Sequence, residues 1–416
     1  MGSQEYPSLL LLPLPTRPPS RASLSAAYRP SLQAVLSKIK NPNRSSVLIV
    51  AVVGPLLRGA SPKTKSLSWP AAQSLIAGLY SLIALICAEQ AIASDVHGGP
   101  GSVDARVVLV DHDANRKFLP DFVAAIEPNN TTVVDLPTFA LAYHPWNYIF
   151  HINSEQGYRT LSTYLKFAES RQTILQSQLV VVEAGLSMNV EGSSEDPVED
   201  TPGYNIVCLG GTFDHLHPGH KLLLTAAALL LRVPVKDATS SCRLIVGITG
   251  DQLLVNKKHA ELVQSWDDRA DYTLDFLTSL LELNKSGWKK KTSPAGTVTR
   301  KPGRVEATFR DGAIIVECVE IQDGFGPTVT QEEMDVLVYS GETRSGGKSV
   351  NDKRTAQGWK PLETFEVEVL DASEQGEGAS ETENFASKIS STAIRQQKAA
   401  TAAKATAKPE SKSRLA

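Results

Sequence analysis

The chain has 416 residues, of which 42% are hydrophobic and 21% charged, and its net charge is −3. That length exceeds what one core usually fills, so two or three domains of an ordinary soluble globular protein are expected. The charge gives no reason to expect nucleic acid or a membrane surface as a partner. The four scattered cysteines (Cys87, Cys208, Cys242, Cys318) make neither a disulfide framework nor a zinc ribbon, which favours a reducing, cytoplasmic setting.

In chain order, "SLLLLPLP" reads as a buried strand, followed by a proline-rich turn and the amphipathic helix "RPSLQAVLSKIK". The acid-poor start also faintly resembles a transit peptide, but its leucine run lies ahead of the arginines. "SSVLIVAVVG" is a strand. "SWPAAQSLIAGLYSLIALICAEQ" is uncharged over about the length of a membrane span, yet Leu75, Leu79, Leu82 and Ile86 recur at helical spacing and favour a buried core helix. "RVVLVDHD" and "TTVVDLP" are strands, and Asp111, His112 and Asp113 read as a strand-end turn. "RTLSTYLKFAESRQTILQSQL" reads as one helix. Residues 1–188 thus form an α/β domain whose sequence does not reveal its role.

The acidic stretch "NVEGSSEDPVEDTPG", 189–203, has the composition of a linker. Residues 204–397 restart the alternation: strand "YNIVCLGG", helix "PGHKLLLTAAALLLR" and strand "CRLIVGIT" make a βαβ unit with a parallel sheet. A helix begins around Asp267 and Asp268. The basic insert "KSGWKKKTSPAGTVTRKPGR" reads as a surface loop, and "AIIVECVEI", "DVLVYS" and "TFEVEVL" are further strands. "ASEQGEGASETEN" and the tail, 398–416, read as disordered or frayed.

Three of the eight histidines crowd into "GGTFDHLHPGHKLLL", Gly210 to Leu224. Gly210 and Gly211 lack a Cβ and admit a phosphate close to the backbone. Pro218 suits a first helical position, which sets the free N–H groups of the helix beside the strand end. His217 and His220, three apart, project from one side of that turn, with Thr212 at the strand tip and Lys221 next in line. Such donors suit phosphoryl or nucleotidyl transfer, where the protein mainly positions and neutralises. A metal bound by His215, His217 and His220, or a merely structural turn, are the competing readings. Far downstream, "KISSTAIRQQ" puts Ser390, Ser391 and Thr392 before a helix carrying Arg395, a second phosphate cradle or else a plain cap. "GETRSGGKS" fails as a P-loop, since Glu342 stands where its first glycine belongs.

"GTFDHLHPGH" together with "ISSTAIR" resembles the HxGH nucleotidyltransferase superfamily. "LVYSGETRSGG" and "IQDGFGPT" are similar to loops of its eukaryotic, fungal-type pantetheine-phosphate adenylyltransferases. The signatures of the cytidylyltransferases and nicotinamide mononucleotide enzymes are missing. The resemblance covers about the second half, and the first half resembles the N-terminal extension of fungal members. It implies a Rossmann-like catalytic domain that transfers AMP from ATP to 4′-phosphopantetheine by direct in-line attack, giving dephospho-coenzyme A and pyrophosphate. His220 would donate to the α-phosphate, and Lys257 or Lys258 would bridge the substrates. Gly210, Gly211, His217, Arg344, Ser390, Ser391, Thr392 and Arg395 would hold ATP. Thr212, Asp214 and Asp323 would face the phosphopantetheine. Mg²⁺ would accompany the triphosphate with no protein side chain assigned to it. Other enzymes of coenzyme A synthesis are candidate partners. Gly341 or Ser340 stands where bacterial members carry an arginine, and the absence of a valid P-loop implies a monofunctional enzyme. The alternatives are another HxGH cytidylyl- or adenylyltransferase, or an inactive scaffold.

Overall fold

The structure, a computed structural model, describes residues 6–15, 20–61, 63–116, 118, 129–142, 145–186, 200–235, 240–283, 297–370 and 390–406. The first part runs β1 (Ser8–Pro13), α1 (Arg21–Ile39), β2 (Ser46–Gly54), a β3–β4 hairpin (Leu57–Ser61, Thr64–Leu67), α2 (Trp69–Glu89), β5 (Val103–Asp111), β6 (Val134–Asp135), α3 (Leu136–Leu141), β7 (Ile149–Ile152), α4 (Glu155–Ala168) and β8 (Leu179–Val182). Six of these strands form a sheet in the order β6-β5-β2-β1-β7-β8, with every pairing parallel.

Its inner strands are unbroken apolar runs because both faces are covered. β1 sits between β2 and β7, and Leu9 to Leu12 are at most 1% exposed. The leucine run is therefore built into the centre of the sheet. α2 lies between α1 and α5 of the second part, and 72% of its most apolar window is buried, so protein takes the place of lipid around it. The single long helix expected after Arg159 is corrected. α4 stops at Ala168, where the Ser170 hydroxyl donates to Phe167 O at 2.6 Å, and the β-branched "LVVV" pairs with β7 as an edge strand.

The second part runs β9 (Ile206–Gly211), α5 (Pro218–Ala228), β10 (Cys242–Thr249), α6 (Trp266–Leu281), β11 (Val298–Lys301), β12 (Arg304–Phe309), β13 (Ile314–Ile321), β14 (Val336–Ser340), α7 (Arg344–Ala356), β15 (Glu363–Val367) and α8 (Ser391–Thr406). The sheet order is β11-β12-β13-β10-β9-β14-β15; only β12 runs against the rest, antiparallel to both β11 and β13. This is a Rossmann-like sheet. From β9 the chain winds outward through β10 and β13, then returns to β14 on the other side. The carboxyl ends of β9 and β14 thus form a topological switch point, where such sheets hold ligands.

Three expectations change here. The end of the basic insert pairs as the β11–β12 hairpin, while 284–296 lies outside the described residues. The glycine-rich "RSGG" opens helix α7 instead of forming a loop. α8 continues through Thr406, so the first part of the presumed tail is helical. The acidic stretch "ASEQGEGASETEN" and most of the 189–203 segment lie outside the described residues, though Thr201 N donates to Leu67 O at 3.1 Å.

The two sheets share one apolar core, continuous from Leu9 to Leu370. Only the face of the second sheet beneath α7 has a separate cluster, around Cys208, Ile245, Leu337 and Val350. Buried ions also join the halves. Lys221 Nζ on α5 donates to Asp104 Oδ1 on β5 at 2.6 Å and to Ala105 O at 3.1 Å. Arg106 Nη2 bonds Asp104 Oδ2 at 2.7 Å and Asp275 Oδ2 on α6 at 2.5 Å. Burial alone would raise the Asp104 carboxyl; Arg106 and Lys221 beside it hold it well below the usual carboxylate range.

Candidate active site

β9 ends at Gly211, and six residues later α5 starts with His217 as its cap and Pro218 in the first turn. Two non-glycine residues of that turn, Phe213 (φ 51°) and His215 (φ 46°), lie in the left-handed region. A bulky residue there is strained, and such strain persists only where the surroundings enforce it. Here Arg269 of α6, fully buried, donates Nη1 to Thr212 O at 2.7 Å, Nε to Gln264 O at 3.0 Å and Nη2 to Asp251 Oδ1 at 2.6 Å. Gln264 grips the turn in both directions: its Oε1 accepts from His215 N at 2.8 Å, and its N–H donates to Asp214 Oδ1 at 3.0 Å.

The His217 and His220 rings stack with centroids 3.9 Å apart and planes 23° from parallel. Gly219 between them is closely confined, since a Cβ would lie 3.2 Å from Nδ1 and Cε1 of His217, tighter than ordinary contact. Gly211 is similarly confined by the Phe213 ring at 3.1 Å, whereas a Cβ on Gly210 would meet nothing nearer than Gly247 O at 3.8 Å. The Nδ1 atoms of both stacked rings are buried without a hydrogen-bond partner among the described residues. Burial pulls the half-buried His220 down to about 4, against the opposing pull of Asp214. Burial, with His220, Lys221 and His215 nearby, holds His217 well below its ordinary value. Both imidazoles are thus neutral at pH 7. An anion seated against them would favour their protonated, doubly donating form.

His215 turns elsewhere. Its Nε2–H donates to Leu262 O at 3.0 Å, and Nδ1 accepts from Lys398 Nζ at 3.0 Å. The three histidines do not converge, so the three-histidine metal reading fails on geometry. Lys221 also leaves the site, drawn into the interface with Asp104. The helical turn that sets His217 beside His220 points the lysine that follows them away.

The downstream motif docks on this same turn. Arg395, 2% exposed, is ion-paired through Nη1 with Asp214 Oδ2, and its Nε donates to Lys258 O at 3.0 Å. Its Nη2 donates to Thr392 Oγ1 at 3.1 Å, Ser391 Oγ donates to Asp214 O at 2.7 Å, and Ser390 Oγ accepts from Ala393 N at 3.3 Å as a cap. This bears on two assignments. Asp214 is fully buried beneath the turn, so it braces instead of facing a substrate. Arg395 is its counter-ion, because a buried carboxylate requires one. Lys257 and Lys258 are exposed in the loop after β10, with Lys258 Nζ 3.2 Å from Gln396 Oε1. Thr212 is partly exposed at the strand tip. Arg344, at the carboxyl end of β14, forms a two-point pair with Glu366 at 2.5 and 2.7 Å. Asp323, beyond β13, accepts from Phe325 N and Gly326 N at 2.9 and 2.6 Å, an occupation that ties it to its own turn. Arg269 was missed in the sequence although it falls on the apolar stripe of α6 with Ala270, Thr273 and Leu277, where a cation signals a buried task.

A family model described as a domain of unknown function (DUF8446) matches residues 1–188. A protein of Saccharomyces cerevisiae named phosphopantetheine adenylyltransferase is 34% identical over 50% of this chain and 53% of its own length. A Schizosaccharomyces pombe protein named as uncharacterized is 32% identical over 46% of this chain and 48% of its own. A phosphopantetheine adenylyltransferase of Pyrococcus abyssi is 27% identical over 39% of this chain and 78% of its own. The chain spans about half the length of the two fungal relatives. Over about half its own length, this chain is similar to proteins named phosphopantetheine adenylyltransferase from Saccharomyces cerevisiae and from archaea.

Proposed function

We propose that the chain is a nucleotidyltransferase that moves AMP from ATP to 4′-phosphopantetheine, releasing pyrophosphate and leaving dephospho-coenzyme A. The observation that carries this reading is the stacked His217–His220 pair, with unpartnered Nδ1 atoms, at the start of α5 and the carboxyl end of β9. Triphosphate oxygens set against the free N–H groups of α5 would meet the helix dipole and both imidazoles. His220 would stabilise charge growing on the α-phosphate. His217 would hold the neighbouring phosphates, and the lysine pair Lys257 and Lys258 would reach in from the loop after β10. Gly210, open on its Cβ side, leaves room for a phosphate at the strand tip. Thr212 would meet the attacking phosphate. Ser390, Thr392 and Arg344 would meet the outer phosphates, and Arg395 would act by fixing Asp214.

Mg²⁺ would arrive as part of the ATP substrate. Among the described residues no group of three or more His, Cys, Asp or Glu side chains is arranged to hold a metal, and in this reading phosphate oxygens would carry the ion. A cytoplasmic location belongs to the same reading, in keeping with four free, buried cysteines.

Pyrophosphate release, measured with a panel of nucleotides and phosphorylated acceptors, tests the substrate pair. His220→Ala should lower turnover about 10²- to 10³-fold while ATP still binds. Activity with CTP and phosphocholine but not with phosphopantetheine would overturn the assignment, as would full turnover by the alanine variant.

A further inference from the structure

Asp95 lies in the first half, between α2 and β5, and is 1% exposed. Its Oδ2 accepts from Lys398 Nζ of α8 at 3.0 Å and stands 3.6 Å from His215 Nδ1 of the strained turn. Lys398 Nζ in turn reaches that same Nδ1 at 3.0 Å. One residue along, Val96 N donates to Leu216 O at 3.0 Å, joining the first half directly to the turn backbone. His215 extends the chain of contacts through Leu262 O into the loop that carries Lys257 and Lys258. Four segments remote in sequence therefore meet on one imidazole and one carboxylate.

We propose that Asp95, His215 and Lys398 form a clasp by which the first half positions the site, with Asp95 and Lys398 as positioning residues for the transfer reaction. The inference rests on the adenylyl-transfer reading and adds a role for residues outside its motifs. The sequence of α8 explains the need. "STAIRQQKAATAAKAT" has a single large apolar residue, Ile394, so packing cannot hold the helix and polar contacts must. Two of these lie at its start, Ser391 and Arg395 on Asp214; the clasp adds a third, one turn later, and ties it to the first half. Without it, α8 would pivot about its first turn and His215 would lose the acceptor role that orients its ring. Both movements displace the backbone that carries His217, and small misplacements of such groups are costly in turnover.

The test uses the full chain. Lys398→Met removes the half-exposed end of the clasp and leaves the core intact; Asp95→Asn removes the buried end. Each should lower kcat at least about tenfold, with KM for ATP changing far less. The double variant should be no worse than the more damaged single one, because both break the same device. Val35→Ala, on the buried face of α1, supplies a comparison in which lost stability leaves kcat unchanged. Amide exchange should quicken in α8 and across 212–217 in both clasp variants. Unchanged kcat and unchanged exchange in Lys398→Met would overturn the clasp. An unmodified chain that releases no pyrophosphate with ATP and phosphopantetheine would defeat the functional reading instead, while exchange in Lys398→Met would still decide whether the clasp holds.

Discussion

The two halves are variations on one plan. Each is a parallel sheet wound in both directions from a central strand, with a switch point beside β1 in the first half and beside β9 in the second. Yet among the described residues only the second half packs imidazoles, lysines and a left-handed turn at that point. On β7 of the first half stands a buried histidine, His151, facing Tyr158 at 5.0 Å. A fold supplies the crevice and the residues at its lip supply the chemistry, so likeness of architecture does not imply likeness of task. The first half acts on the second through its flank, where Asp95, Asp104 and Trp69 reach the segment around α5.

If the halves are that interdependent, separating them should have the largest effect. A fragment beginning at Gly203 would expose the α5 face that α2 covers and strand Lys221 and Arg310, which bonds Thr131 O and Thr132 O across the interface. It should lack a cooperative unfolding transition and aggregate on size-exclusion chromatography. A monomeric fragment with full pyrophosphate release would reverse the comparison. Next in size, Asp104→Asn leaves buried Lys221 without its carboxylate and Arg106 with Asp275 alone. The expected loss is about 3–5 kcal/mol in urea unfolding. A loss below about 1 kcal/mol would mean that the interface is carried by apolar packing.

The mildest test is acidification. His217 and His220 in the second half, and His112 and His151 in the first, are all held below the ordinary imidazole value, chiefly by burial. The unfolded chain binds protons that these folded sites refuse, so stability should fall as pH drops through about 6.5 towards about 4. The Asp104 contribution disappears only at lower pH, because its folded carboxyl is depressed and its stabilisation is lost on protonation. Unfolding midpoints at several pH values should show a shallower slope for His220→Asn than for the unchanged chain. Equal slopes would assign the effect to the other three imidazoles.

What the sequence disclosed follows the range of the forces involved. Strands such as "SSVLIVAVVG" and "CRLIVGIT" were legible because burial on both faces makes them continuously apolar. β7 and β8 were not, since four residues carry no readable period and sheet pairing decides their state. The stacked histidines were foreshadowed by their spacing, and the meeting of Arg395 with the first turn by the pairing of two motifs. Asp95 had no local signal at all. Lys398 sits in an alanine- and lysine-rich stretch that reads as frayed tail, and only a contact 303 residues away in the chain gives it a place. The same holds for Asp214, whose polar setting looks like a substrate contact until its depth is known.

The backbone of the 212–217 turn has a mechanical corollary. Left-handed Phe213 and His215 each carry about 1–2 kcal/mol of conformational cost, which Arg269, Gln264 and α8 offset by gripping the chain on three sides. Loosen any one of those grips and the stored tension drives the loop towards relaxed torsions. The turn behaves as a cocked spring, and its catch is held partly by another sheet.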